Sequence, residues 1–190
     1  IFLHAFFACG DKVDASSVNP AFDDFSENVV SYIDGDEIVI ETNGLPDHTS
    51  PYWSTDHELY VSPTVTSTSE MAPGLIDDFN GSYTLRVPVE PELASSSSST
   101  GLGAIGIAVS GGVIYNDEEG PNVPLDDAAP SLDFSGAHTG PQSYHYHLEP
   151  TAWSEDDEAL IGIISDGFLL YGRHCNSTGD YPTDLDDSGG

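Results

Sequence analysis

Basic side chains are scarce in this sequence, which has only Lys12, Arg86 and Arg173 among its 190 residues. Against them stand 33 acidic side chains, and the formal net charge is −30. Proteins bind nucleic acid largely by replacing the counterions of the phosphates with their own cations. Anionic membrane surfaces attract basic segments for the same electrostatic reason. The sequence therefore argues against nucleic acid and against anionic membranes as partners.

The acidic excess itself has three interpretations. Divalent cations such as Ca²⁺ could neutralise clustered carboxylates, high ambient salt could screen their repulsion, or the charge could keep an extracellular protein soluble. We favour the last two for most of the acids. The oxygen-rich stretches "YNDEEGPNVPLDD" (115–127) and "DYPTDLDDSGG" (180–190) are candidate Ca²⁺ loops, although both lack the ligand spacing of an EF-hand.

Cysteine is equally scarce, with Cys9 and Cys175 alone. The two could stay reduced, or they could form one long-range disulfide, which would suit an exported protein. A third alternative concerns Cys9, because "FFAC" before Gly10 loosely resembles a lipoprotein cleavage site and would make Cys9 an acylated residue. The charged region that opens a secretion signal is missing from this stretch.

Apolar runs long enough to cross a bilayer are also missing, and "SEDDEALIGI" (154–163) is the one candidate for helical periodicity, whereas the chain is rich in short β-type segments. Segments such as "VVSYI", "IVIET" and "GSYTLRVPVEPEL" are β-branched or alternating, and turn residues separate them. The pattern predicts an all-β fold, a sandwich of antiparallel sheets of Ig-like or jelly-roll-like type. The run "SSSSST" (95–100) divides a β half at 15–94 from another at 101–190, behind an N-terminal segment at 1–14. The two halves could be separate domains or one continuous body.

Four segments occur in this order over residues 101–190, namely "GIAVSGGVIYN", "GPQSYHYHLEP", "LIGIISDGFLLYG" and "DLDDSGG". In these segments the chain resembles the YHYH domain family, whose tetrad is Tyr144-His145-Tyr146-His147 here. Members of that family are mostly exported β-rich proteins without an assigned activity. The resemblance therefore implies an extracellular or cell-surface location and a β fold, and it implies no reaction.

The tetrad also supplies candidate metal ligands. Residues two apart in a strand share a face, so His145 and His147 point the same way, and His138 lies across the Gly140-Pro141 turn as a third ligand. Imidazole suits Zn²⁺ or Cu²⁺, and Asp166 could orient one of the rings. The alternative is a half-buried strand in which each histidine is bonded to a carboxylate.

The first nine residues, "IFLHAFFAC", form an apolar stretch that is too short to cross a bilayer as a helix. It suits a β-strand that needs cover on both faces. We expect this strand, through Ile1, Phe2, Leu3, Phe6 and Phe7, to be donated to a neighbouring copy, because a long polar leader follows it. Repetition of that contact gives a homopolymer. The alternative is that the strand folds back into its own domain.

The functional prediction from sequence is thus a structural subunit of an extracellular filament or pilus-like fibre, and not an enzyme. Its partners would be identical subunits. We expect no transmembrane segment in the chain. The alternative is a secreted metal-binding protein or metalloenzyme that uses the histidine cluster. Asn80 in "NGS" and Asn176 in "NST" are candidate glycosylation sites if the producing cell has the machinery.

Overall fold

A computed structural model describes residues 18–64, 66–140, 142–148, 158–174 and 178–183. Three sheets account for its strands. The first contains β1 (Val29–Asp34), β2 (Glu37–Thr42) and β3 (Tyr83–Pro88). The second contains β4 (Ala104–Ala108), β5 (Val113–Tyr115), β8 (Ala137–Gly140), β9 (Ser143–Tyr146), β10 (Leu160–Ile164) and β11 (Leu169–Tyr171), and a small hairpin pairs β6 (Glu118–Gly120) with β7 (Val123–Pro124).

The helices of the described residues are short 3₁₀ turns. They are Pro20–Asp24, Ile76–Asp78, Leu125–Asp127 and Ala129–Ser131. No described helix is long and apolar enough to cross a membrane. The prediction of an all-β sandwich is confirmed, whereas the apolar strand expected within residues 1–14 lies outside the described residues.

The three-stranded sheet follows directly from the sequence pattern. β1 and β2 form an antiparallel hairpin in which Asp34 pairs with Glu37, and the turn between them contains Gly35 at φ +71°. β3 pairs with the other edge of β2, also antiparallel, from Glu37 opposite Pro88 to Thr42 opposite Tyr83. Alternating apolar residues of β2 and β3 thus share one face, which is buried.

The six-stranded sheet has the order β11-β10-β4-β5-β9-β8. Its neighbouring strands are antiparallel, except that β5 and β9 run parallel, with Val113 opposite His145. The predicted antiparallel sheets are therefore present, and the six-stranded sheet contains one parallel pair in addition. A parallel pair needs a long crossover connection, and residues 116–142 supply it. That crossover contains the β6–β7 hairpin and strand β8.

Two apolar clusters cover the two faces of the six-stranded sheet. One cluster joins side chains of the three-stranded sheet, such as Ile40 and Leu85, to Ile107 and Ile163 of β4 and β10. The other joins loop side chains to the opposite face of the sheet, and its members are Tyr52, Trp53, Ile76, Ala108, Ala137, Tyr144 and Tyr146. Both clusters combine residues from 15–94 with residues from 101–190.

Candidate metal centre

The β8–β9 hairpin brings three histidines together. His138 pairs directly with His145 across the two antiparallel strands. His147 follows two residues after His145, just past the end of β9, and its ring lies on the same side. All three rings are buried, with His138 and His145 at 2% and 3% exposure and the His147 side chain at 1%. The structure thus brings together the three residues that the sequence predicted.

The Nε2 atoms of the three rings point at one another. The distance from His138 Nε2 to His145 Nε2 is 3.1 Å, and that from His145 Nε2 to His147 Nε2 is 3.0 Å. A hydrogen bond at such a distance requires a proton on one of the two nitrogens. Which ring nitrogen carries the proton is set by the hydrogen bond at the other nitrogen.

The Nδ1 atoms are all held by hydrogen-bond acceptors. His147 Nδ1 lies 2.7 Å from the Asn116 carbonyl oxygen, and His145 Nδ1 lies 3.3 Å from the Ser143 carbonyl oxygen. Because a carbonyl oxygen can only accept, both Nδ1 atoms carry the proton. His138 Nδ1 lies 2.7 Å from Ser131 Oγ, whose own hydrogen is donated to the Ala128 carbonyl oxygen at 2.7 Å. Ser131 Oγ therefore accepts from His138 as well.

It follows that each ring, in its neutral form, presents an unprotonated Nε2 to the centre of the cluster. Burial lowers the pKa of His138 to about 4 and that of His145 to about 3, with the proximity of neighbouring cluster histidines as a further cause. These two rings are therefore neutral near pH 7. Their lone pairs face one another across about 3 Å with no hydrogen between them, which is repulsive unless a cation lies among them.

A fourth donor, Glu119, completes the cluster. Its Oε2 lies 3.3 Å from His138 Nε2 and 3.4 Å from His147 Nε2. The four ligand atoms of Glu119, His138, His145 and His147 all lie within 4.8 Å of one another. Glu119 was not predicted, because in the sequence it is one of 33 acids and nothing distinguishes it from the neighbouring Asp117 and Glu118.

The spacing of these donors fits a metal ion. Ligands at about 2.0–2.1 Å from Zn²⁺ in a tetrahedron lie about 3.3 Å from one another. Four of the six separations among these donors are close to that value, at 3.0, 3.1, 3.3 and 3.4 Å, and all six lie within 4.8 Å. Imidazole nitrogens and a carboxylate are also ligands that Zn²⁺ and Cu²⁺ accept. The donors therefore match a transition-metal centre in chemistry, and they are close enough together to share one ion.

The tyrosines of the tetrad point to the opposite side of β9. Tyr144 OH donates to the buried Asp133 carboxylate at 2.7 Å, which also accepts from Ser50 Oγ at 2.6 Å. Tyr146 OH lies 2.6 Å from His48 Nε2 and 2.7 Å from Ser110 Oγ. Burial raises the pKa of both tyrosines, so both stay protonated. The tyrosine face therefore holds the loop around residues 48–53 against β9, and its role is structural.

Tyr115, at the end of β5, flanks the histidines. Its ring stacks on His145 with 3.9 Å between ring centroids, and it meets His147 edge to face at 5.9 Å. Tyr115 also lines a cavity of about 150 Å³ together with Tyr83, Gln142 and Ser143. The chain that leaves β5 thus supplies a stacking ring, the Asn116 carbonyl and then Glu119.

The other predicted site residues lie elsewhere or outside the described residues. The ring nitrogens of the cluster that face away from its centre are bonded to Ser131, Ser143 and Asn116 and not to Asp166. The Asp166 carboxylate accepts from the Phe168 backbone amide at 3.2 Å. Asn80 is exposed, and its side chain accepts from the Ser82 amide at 3.3 Å, so its glycosylation stays a prediction. The predictions for the assembly strand, the disulfide and the second sequon fall outside the described residues, at Ile1, Phe2, Leu3, Phe6, Phe7, Cys9, Cys175 and Asn176.

The first of the two candidate Ca²⁺ loops is the one that contains Glu119. Within the described residues, the metal-ligand group is the one formed by Glu119 and the three histidines. The second loop is described only as far as residue 183. Calcium binding by either loop stays a prediction.

Comparison with protein families gives a match over a range that includes the tetrad. The family described as YHYH protein matches residues 82–186, which include β3 and every strand of the six-stranded sheet. The chain therefore belongs to the YHYH protein family. Neither the curated proteins nor the solved structures gave a match to the chain.

Proposed function

We propose that this chain is an exported metal-binding protein that holds one transition-metal ion through His138, His145, His147 and Glu119. One observation carries the proposal. Three buried imidazoles bring their Nε2 atoms together, with His145 Nε2 3.1 Å from His138 Nε2 and 3.0 Å from His147 Nε2. The Glu119 carboxylate lies 3.3 Å from His138 Nε2 and 3.4 Å from His147 Nε2, and the three Nδ1 atoms are already bonded to other acceptors. A single proton could bridge one pair of these donors, whereas a metal ion accepts electron pairs from all four.

Zn²⁺ and Cu²⁺ are the ions that best suit the proposed site. Both bind neutral imidazole, and Cu²⁺ is the tighter binder of the two on a given set of nitrogen and oxygen ligands. Three neutral histidines and one carboxylate leave a divalent ion with one net positive charge. The ion therefore removes the lone-pair repulsion at little cost in buried charge.

The test is metal analysis of the purified protein. After loading with Zn²⁺ or Cu²⁺ and desalting, we expect close to one ion per chain, and we expect almost none in a His145→Ala, His147→Ala double variant. His57→Ala is the matched control, because His57 stacks on Trp53 outside the cluster. A wild-type protein that retains no ion above the level of the double variant would show the proposal to be wrong.

Export and assembly are further parts of the proposal that depend on the sequence. Family resemblance and acidic composition support an extracellular or cell-surface location. The apolar residues 1–9 support donation of a strand to an identical subunit in a filament, and this role is compatible with a metal centre in the described part of the chain. The proposal assigns binding and assembly to the chain, and no enzymatic reaction.

A further inference from the structure

The four donors of the proposed metal centre differ in how firmly the fold fixes them. His138 and His145 lie on the β8–β9 hairpin of the six-stranded sheet and His147 lies just past its end, and each ring is fixed at Nδ1 by an acceptor. Glu119 lies outside that sheet, on the small β6–β7 hairpin. The contacts found for its carboxylate within the described residues are those with His138 and His147.

Exposure separates the donors in the same way. The side chain of Glu119 is 36% exposed, whereas those of His138 and His147 are 3% and 1% exposed. The cluster therefore meets solvent on the side of Glu119. Metal sites that serve only to hold a fold are closed by four firmly held protein ligands, while sites that react with an external molecule keep one position for water or substrate.

The backbone at Glu119 is irregular. Glu118 pairs with Pro124 and Gly120 with Val123, and the register shifts between these two pairs, so that Glu119 is the unpaired residue. The turn that follows includes Asn122 at φ +60°. A bulge of this kind turns one side chain out of the normal alternation, and bulges are frequent beside active sites. The orientation of Glu119 toward the histidines thus depends on a single bulge in a two-stranded hairpin.

From these three observations we infer that Glu119 is a replaceable fourth ligand, and that its position can be taken by water or by a small external carboxylate. This inference rests on the proposed metal site. The three histidines are then the permanent ligands. The external ligand is a small oxygen donor that is chemically like the carboxylate it replaces.

The test uses Co²⁺, whose visible absorption reports the number and kind of its ligands. We expect the cobalt-loaded Glu119→Ala variant to keep about one ion per chain, with a spectrum altered from that of wild type. Titration with acetate should then change this spectrum in a saturable way and move it back toward wild type. Glu118→Ala, on the same strand, is the matched control and should behave as wild type does. Glu119→Gln, which keeps the size of the side chain, repeats the test if the alanine variant folds poorly.

The outcomes separate this inference from the proposed function. Wild-type protein that binds neither Co²⁺ nor Zn²⁺ would contradict the metal site itself. If wild-type protein binds metal and the Glu119 variants lose all of their metal, Glu119 is a permanent ligand. Cobalt-loaded variants whose spectra do not respond to acetate would show that the vacated position is closed to external ligands. Either of the last two results overturns the inference and leaves the metal site in place.

Discussion

At the scale of single residues, the histidine cluster depends on the hydrogen bonds at Nδ1, the ring nitrogen that faces away from its centre. Two of the Nδ1 acceptors are backbone carbonyls, of Asn116 and Ser143, and the third is the Ser131 hydroxyl. Such partners fix the orientation and the tautomer of a metal-binding ring before the metal arrives. Because Ser131 acts through its side chain, its contribution can be removed by substitution.

Replacing Ser131 with alanine should weaken metal binding without removing any ligand. His138 Nδ1 would lose its acceptor, so the ring could rotate or take the other tautomer, and loss of such a partner typically costs about 10- to 100-fold in metal affinity. Competition with a chromophoric chelator measures this affinity. Ser131→Thr, which keeps the hydroxyl, should restore most of it, and Ser67→Ala, at an exposed serine, should leave it unchanged. Equal affinities for wild type and Ser131→Ala would contradict the assigned role.

At the scale of elements, β9 carries two different functions on its two faces. The histidine face points to the proposed metal, and the tyrosine face points to a buried hydrogen-bond network around Asp133. The Asp133 side chain also accepts from the Ser135 amide at 2.8 Å, which fixes the chain just before β8. The network therefore positions the same hairpin that carries the ligands.

Tyr144→Phe should destabilise the protein and leave its metal content unchanged. The change removes one hydrogen bond from the buried Asp133 carboxylate, and a buried polar group that loses its partner costs about 1–3 kcal/mol. Urea unfolding of the metal-free protein measures the free energy of unfolding. Tyr32→Phe is the control, because Tyr32 is exposed and its contact with Glu41 is long, at 3.4 Å. If both variants unfold at the wild-type urea concentration, Tyr144 does not have this role.

The part of the site that could be predicted from the sequence is the part that depends on local geometry. Period-two alternation placed His145 and His147 on one face, and the Gly140-Pro141 turn placed His138 opposite them. The β-rich character of β1 to β5 was evident from alternating and β-branched segments for the same reason. These features need only residues that are close together in the chain.

The rest of the site depends on pairings between distant segments. Glu119 reaches the cluster because β5 lies parallel to β9 and because β6 contains a bulge. Neither feature has a local sequence signal, since the crossover between these strands contains many acids and several turn residues. The pairing of Asp133 with Ser50 joins residues 83 positions apart. Only the folded chain shows which acid belongs to which partner.

At the scale of the whole molecule, charge and core act in opposite directions. A net charge of −30 opposes the compact state through repulsion between the acidic side chains. The two apolar clusters, one on each face of the six-stranded sheet, stabilise the compact state. The same charge keeps copies of the chain apart in solution. Association of copies therefore needs a specific contact, which is the role that we propose for the apolar N-terminal residues.

Deletion of residues 1–10 should abolish assembly and leave the metal centre intact. The deletion removes Ile1, Phe2, Leu3, Phe6 and Phe7, and with them the apolar surface of the proposed donor strand. Electron microscopy and light scattering of full-length and truncated protein measure assembly, and metal content serves as the control for folding. A full-length variant carrying Phe6→Asp and Phe7→Asp tests the same contact at unchanged length. Filaments formed equally well by the truncated protein would show that assembly does not use this strand.

The position of Glu119 shortly after β5 gives a longer signature than the tetrad. Tyr115 ends β5 beside the histidine rings, Asn116 follows it, and the carboxylate comes three residues after Asn116. A relative that shortens this interval by one residue would turn its acid away from the three imidazoles. We therefore expect family members that carry the pattern Tyr-Asn-x-x-Glu upstream of Tyr-His-Tyr-His to place a carboxylate beside their histidines.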